Sequence, residues 1–293
     1  MFWDLFNKKR NESAPNEMNE TEEGTVRSVV LSDVGNIRTN NEDMGLFFRV
    51  AGEAQRKGYL LVVADGMGGH KAGEVASRMA VEVISHEYYG ESGPIDECLK
   101  KAFEAANQKI FQKASSSKAH RGMGTTCTAV VVWDNRLFFA HVGDSRGYLI
   151  KDGRIHQLTE DHTHVQELIR EGLISADAAA THPDRNLLTN AMGTRPMIRI
   201  DAGEAPFRFD EGDRLLLCSD GLYEYFSNPE LQQVGASGPL AQVARNLIDE
   251  AKRRGGHDNI TVVLAERTVP VSTPALKQTS DFEWPLTGQN ENP

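Results

Sequence analysis

Apolar residues along the chain follow two different periodicities, arranged in blocks. Residues 26–32 (VRSVVLS) are rich in β-branched side chains, and 59–64 (YLLVVA) form a continuous apolar run. A short unbroken run of this kind predicts a strand buried on both faces. The spacing then becomes helical. Val75/Ala76, Met79/Ala80 and Val83/Ile84 mark one amphipathic helix. Ile95, Cys98/Leu99, Ala102/Phe103, Ala106 and Ile110 mark a second, with Pro94 placed to occupy its first turn. Strand patterns return at 128–133 and 136–142, separated by Asp134-Asn135, and at 148–151 and 154–158, which flank Asp152-Gly153. Both pairs predict hairpins. Residues 161–196 are mixed, with short helical pieces. A buried strand at 214–218, a helix at 239–253 and a last strand at 260–264 complete the body. Strands grouped with strands and helices with helices predict an α+β protein of antiparallel sheets covered by helices. Regular strand–helix alternation is missing, which argues against a doubly wound nucleotide-binding fold. No internal repeat is found.

The pattern also divides the chain. Residues 1–23 read as a flexible N-terminal tail, 24–267 as the folded unit and 268–293 as a second loose tail containing Pro270, Pro274 and Pro285. At the N-terminus, Phe2, Trp3, Leu5 and Phe6 form an apolar tip on a polar tether, followed by Lys8, Lys9 and Arg10. Two readings stay open for this tip: an unstructured end, or a short anchor to a partner or membrane surface. Basic residues following the apolar stretch are in the wrong order for a secretory signal. No apolar run approaches the roughly 20 residues that span a bilayer. The expected location is therefore cytoplasmic, with peripheral association through the tip as the further option.

Composition changes this picture only modestly. The 293 residues suffice for a large buried core, and 39% hydrophobic with 25% charged residues describe an ordinary globular chain. A formal net charge of -10 disfavours binding to nucleic-acid phosphates. Three cysteines, Cys98, Cys127 and Cys218, lie in apolar stretches with no CxxC pair, as buried thiols in a reducing compartment would.

The candidate chemistry lies in the aspartates. Asp65 follows the strand 59–64 and precedes Gly66. Asp220 follows 214–218 and precedes Gly221. Asp258 precedes the strand 260–264, and Asp144 follows 136–142. Carboxylates gathered at one sheet end repel one another unless a cation neutralises them, and hard divalent cations prefer oxygen ligands. An Asp-Gly pair also marks an ordinary turn. Spacing alone leaves both readings open.

A series of motifs adds to this. In order they are SDVGNIRTNNED (32–43), VADGMGGH (63–70), GMGTT (122–126), VGDSR (142–146), LLTNAMG (187–193), CSDGL (218–222) and HDNIT (257–261). Over about residues 26–266 the chain resembles the metal-dependent serine/threonine protein phosphatases (the PPM, or type 2C, family), in their compact bacterial branch. The resemblance implies a β-sandwich of two antiparallel sheets flanked by helices, with the metal centre at one end between the sheets.

It also implies two Mn²⁺ or Mg²⁺ ions. Asp65 would bridge them, the Gly66 carbonyl would bind one, and Asp220 and Asp258 the other. Glu42 and Asp43 would orient metal-bound water, with Asp43 nearer the ions, and Asp144 with Asp220 would serve a third, weaker ion. A water activated between two cations would attack phosphorus in line, with no phosphoenzyme. Arg38 would grip the phosphate as a fork. Met67 occupies the position where many eukaryotic relatives carry a histidine that protonates the leaving group. His70, three residues on, is a candidate donor, with a flanking structural histidine as the alternative. Residues 161–196 fall where the family carries a mobile flap. His162 and His164 read better as part of a hydrated loop than as a ligand pair, and Thr125 and Thr126 as structural. The implied partners are phosphorylated proteins and an opposing serine/threonine kinase, with the chain expected to be a monomer. Two alternatives remain: a phosphatase-like binding module without activity, which the three metal aspartates speak against, and a phosphoesterase acting on small molecules.

Overall fold

The computed structural model describes residues 19–23, 25–49, 54–68, 72–116 and 118–268. The apolar N-terminal tip, the tail beyond Thr268 and His70 lie outside the described residues. In chain order the elements are β1 (Asn19–Glu23), β2 (Val26–Asp33), β3 (Asp43–Phe48), α1 (Ala54–Lys57), β4 (Tyr59–Met67), α2 (Ala72–Gly90) and α3 (Ile95–Ser116). They continue with β5 (Gly124–Thr125), β6 (Cys127–Trp133), β7 (Arg136–Val142), β8 (Arg146–Lys151), β9 (Arg154–Gln157), α4 (His164–Arg170) and α5 (Ala176–Ala180). The last are β10 (Asp201–Arg208), β11 (Arg214–Cys218), α6 (Asp220–Tyr223), α7 (Asn228–Gly235), α8 (Leu240–Arg254) and β12 (Ile260–Arg267).

The strands form two antiparallel sheets. One has the order β1-β2-β12-β11-β8-β9. The other has the order β10-β7-β6-β4-β3, with β5 paired to the end of β4. The apolar runs occupy the middle of each sheet because both of their faces are covered. Leu61 and Val63 on β4 meet Leu215 and Leu217 on β11 and Val263 on β12 in the core between the sheets. The opposite faces pack on helices. Leu60 and Val62 lie under α2 and α3, with Ile84, Leu99 and Phe103. Leu216, Val262 and Leu264 lie under α6–α8, with Leu222 and Leu247. The result is a helix–sheet–sheet–helix sandwich.

Both predicted hairpins form. In the β8–β9 turn Asp152 and Gly153 adopt φ values of 51° and 65°, the left-handed pair that matches strand twist. Two differences from the sequence reading have physical causes. Asn19–Glu23, read as part of a loose tail, pairs along β2 from Asn19↔Val30 to Glu23↔Val26. An edge strand is held by backbone hydrogen bonds and needs no apolar pattern of its own. Strands β3 and β10 were not anticipated. β10 alternates between exposed and partly covered positions at a sheet edge, and β3 begins on a buried aspartate, which conceals its strand character.

Candidate metal centre

The sheet register brings the candidate residues to one end of the sandwich. Asp43, the first residue of β3, is the direct cross-strand partner of Asp65 on β4. Like charges opposite each other in a sheet are destabilising unless neutralised. Across the inter-sheet space, β12 starts two residues after Asp258, and β11 ends two residues before Asp220. Gly45 allows the sheets to close here: a Cβ at this position would stand 2.8 Å from Val30 and 3.1 Å from Thr261.

The backbone around Asp65 is pinned. Its N–H donates to Thr126 Oγ1 at 3.0 Å, and its carbonyl accepts from Thr125 Oγ1 at 2.8 Å and from the Thr126 N–H at 2.9 Å. Thr125 and Thr126 are therefore structural, as the sequence suggested. The Gly66 carbonyl and the Glu42 carboxylate meet beside the first turn of α2. A Cβ on Gly73 would lie 2.7 Å from the carbonyl oxygen and 2.8 Å from Glu42 Oε2.

Asn259 lays the 33–42 segment onto the 255–259 loop. Its Oδ1 accepts from the Glu42 N–H at 2.8 Å, and its Nδ2 donates to the carbonyls of Val34 and Asn40, both at 3.0 Å. Arg38 is thereby brought to Asp258, donating to Oδ2 at 2.7 Å, while Asp258 Oδ1 accepts from the Asn259 N–H at 2.8 Å. The HDNIT motif contains Asn259 without revealing this role. Its adjacency to Asp258 was the one available signal.

The electrostatics of the cluster are those of too many acids in too little water. Burial pushes the Asp65 carboxyl well above the usual carboxylate range, and Asp43, Asp220, Asp144 and Asp258 push in the same direction. Burial, then Asp144 and Asp258, does the same to Asp220. Both residues keep part of their surface open to solvent. Burial raises Asp43 to about 6, partly offset by the hydroxyl of Ser219, which donates to Asp43 Oδ2 at 2.7 Å. Asp144 is raised to about 7, by burial first and then by Asp161. Glu42 is raised by burial, against the pull of Arg38. Among the described residues, Asp43 Oδ1 and Asp220 Oδ1 are buried with no hydrogen-bond partner. An acceptor left bare in this way is costly. A divalent cation would remove both the repulsion and the missing partners, so these residues fit such an ion. Among the described residues no three acidic, histidine or cysteine side chains stand ready to enclose an ion unaided. The Gly66 carbonyl and water would have to complete the shell, as is usual for Mg²⁺.

Asp144 also neighbours residues that reach the 161–196 segment. Tyr223 lowers the Asp144 carboxyl against the larger effect of burial, and the Arg146 guanidinium lies 3.7 Å from the Tyr223 ring centroid. Arg146 forks onto Asp161, with Nε at 3.0 Å and one terminal nitrogen at 2.7 Å. His162 and His164 do not act together. His162 is buried, and its Nε2 faces Asp201 Oδ2 at 3.1 Å. Its Nδ1 accepts from the Gly143 N–H at 3.2 Å and stands 2.7 Å from Asn190 Nδ2. Protein groups satisfy it, where the sequence suggested water. His164 instead begins α4 and faces His182. A cavity of about 750 Å³ lies beside the site between α4–α5 and the segment 223–227, with Arg146 and Asp161 in its lining.

With this geometry described, comparison with known proteins is specific. The family model "Protein phosphatase 2C" matches residues 41–264. The serine/threonine phosphatase stp of Listeria innocua is 40% identical over 244 residues, covering 81% of this chain and 94% of that protein. The crystal structure of the Mycobacterium tuberculosis serine/threonine phosphatase PstP/Ppp superposes with a TM-score of 0.72 at 38% identity, covering 83% of this chain and 99% of that one. The catalytic domain of serine/threonine protein phosphatase PstP in complex with two manganese ions gives 0.70 at 37% identity, over 84% of this chain and 100% of that one. The chain belongs to the protein phosphatase 2C family and is a serine/threonine protein phosphatase of the bacterial type.

Proposed function

We propose that the chain hydrolyses phosphoserine and phosphothreonine in proteins by direct, metal-assisted attack of water, reversing the product of a serine/threonine kinase. The observation that carries this reading is the buried aspartate cluster, whose mutual repulsion and bare oxygens call for divalent cations. Asp65 and the Gly66 carbonyl, with Asp43 beside them, would hold one Mn²⁺ or Mg²⁺. Asp65, Asp220 and Asp258 would hold the second, and Asp144 with Asp220 a weaker third. Bound there, two such ions supply Lewis acidity and a nucleophilic water at neutral pH. The two manganese ions of the PstP complex are consistent with this assignment.

The chain's own groups do the rest. Arg38, half-exposed and paired to Asp258 at 2.7 Å, exchanges that carboxylate for the phosphate oxygens, which its planar fork also fits. Glu42, at the first turn of α2, orients water at the opening of the site. The hydroxyls of Thr125 and Thr126 are committed to the Asp65 backbone, so neither is offered as a covalent nucleophile. His70 is the remaining candidate for protonating the leaving oxygen. The catalytic unit would span residues 24–267, with β1 (Asn19–Glu23) paired along its edge.

The test is hydrolysis of a phosphothreonine peptide by the whole chain. Mn²⁺ should support it, a chelator should abolish it, and Asp220→Asn should lower kcat/KM by roughly 10²-fold or more, the scale of one lost electrostatic group in a closed site. Undiminished turnover by Asp220→Asn would remove the two-ion assignment. Equal turnover of sugar phosphates would redirect the substrate reading to small molecules.

A further inference from the structure

We propose that Lys57 and Cys98 form a redox modification site, in which hydroperoxide closes a covalent nitrogen–sulfur link between the two side chains. The pair lies on the helical side of the β4 sheet, in a part of the molecule that the phosphatase chemistry does not use. Lys57 ends α1 and is 2% exposed; Cys98 sits in the first turn of α3 and is 1% exposed. The Lys57 Nζ donates to Cys98 Sγ at 3.2 Å.

Lysine is almost never fully buried unless an acid pairs with it. Among the described residues Lys57 has no carboxylate partner, and only the sulfur and the Tyr88 ring, 5.1 Å from Nζ, meet its amino group. Tyr88 fixes the other end as well, its hydroxyl donating to the Lys57 carbonyl. The Lys57 backbone is thereby fixed while its amino group faces the sulfur. Among the described residues Cys98 is the one cysteine that accepts a hydrogen bond from a lysine. Cys127 and Cys218 lie within β6 and β11.

A small oxidant has a short path to the sulfur. The exposed turn at Gly93 covers it: a methyl group placed on Gly93 would stand 4.0 Å from Cys98 Sγ. The sulfur thus lies close to an exposed turn, and local opening of such turns costs far less than global unfolding.

The chemistry balances in two steps. Hydrogen peroxide transfers one oxygen to the Cys98 thiol, its O–O bond breaks, water leaves and a sulfenic acid forms. The Lys57 nitrogen then attacks the sulfur. A nitrogen–sulfur bond forms, the sulfur–oxygen bond breaks, and the hydroxyl leaves as water with a proton from nitrogen. Thiol, amine and peroxide become a sulfenamide and two waters. Sulfur supplies the two electrons that peroxide accepts. A thiol reductant reverses the link by attacking the sulfur and releasing the amine. The closed link would fasten the start of α3 to the lead-in of β4, the strand whose far end carries Asp65.

The experiment is peroxide treatment of the whole chain, digestion without reductant and peptide mass mapping. Met197, 86% exposed, records the oxidant dose as its sulfoxide. The expected product joins the Lys57 and Cys98 peptides at a mass two hydrogens below their sum, and dithiothreitol removes it. Lys57→Met and Lys57→Arg should both lose it, the second serving as a long polar replacement if the first perturbs folding. Three results would overturn the proposal. One is a Cys98 thiol left free at a dose that fully converts Met197. Another is sulfinic and sulfonic acid at Cys98 in equal yield with and without Lys57. The last is a joined peptide that retains the peroxide oxygen.

Discussion

Asp43, Asp65, Asp144 and Asp220 bind protons more tightly in the folded chain than aspartate does in an unfolded one. Burial raises all four, to about 6 for Asp43 and about 7 for Asp144. Between the ordinary aspartate value of 3.8 and these raised values, the folded state holds protons that the unfolded chain has released. Stability of the metal-free protein therefore falls as pH rises through that window, and the deficit persists above it. Cations compete with those protons and cancel the repulsion that replaces them. The stabilisation conferred by saturating Mn²⁺, read as a shift in Tm, should accordingly be larger at about pH 7.5 than at about pH 5. Equal shifts at both would place the ions elsewhere. At this scale the sequence displayed the acids but not their burial, because an Asp-Gly pair at a strand end reads the same whether it turns in water or faces other carboxylates.

Elements position these residues through loops, and one asparagine joins two of them. Asn259 is 4% exposed, and its side chain makes three hydrogen bonds that hold the 33–42 segment against the start of β12. Asn259→Ala would leave the Glu42 N–H and two carbonyls without partners, at roughly 1–3 kcal/mol for each group that stays buried. We expect a loss of at least about 2 kcal/mol in denaturant unfolding. Phosphopeptide hydrolysis should be weakened further, since Arg38 and Glu42 belong to that segment and Asp43 follows it directly. Wild-type kcat/KM in a destabilised variant would show that the segment needs no such clamp. The strands and long helices were legible from apolar periodicity, as β4, α2, α3 and the β8–β9 hairpin illustrate. Strand β3 was not, because its first residue is a ligand candidate and its remaining positions are only partly covered.

The whole molecule brings the two halves of the site together. Asp43 and Asp65 belong to one sheet, whereas Asp220 and Asp258 flank strands of the other, so the distance between the two pairs of carboxylates depends on the core between the sheets. Leu217 is fully buried in that core, while Leu99 is fully buried between a sheet and its outer helices. Leu217→Ala and Leu99→Ala should each cost about 2–5 kcal/mol in urea unfolding. Only Leu217→Ala should also weaken Mn²⁺ binding in a calorimetric titration. Equal effects on metal affinity would mean that the sheets hold their separation independently of this core. Among the described residues no helix is long and apolar enough to cross a membrane.

By itself the sequence determined the blocks of apolar strands and of amphipathic helices, the α+β class and, through seven ordered motifs, the family and the aspartates to inspect. Those are local properties, written in residue type and spacing. Only the tertiary structure decided that Asp43 lies opposite Asp65, that Arg38 reaches Asp258 and that Asn259 joins their loops. It also decided that His162 is held by Gly143, Asn190 and Asp201 rather than by water. Each of these contacts joins residues brought together by sheet register and by the closing of two sheets on a shared core. No periodicity records that, because the energy that sets it is the burial of side chains far from the site.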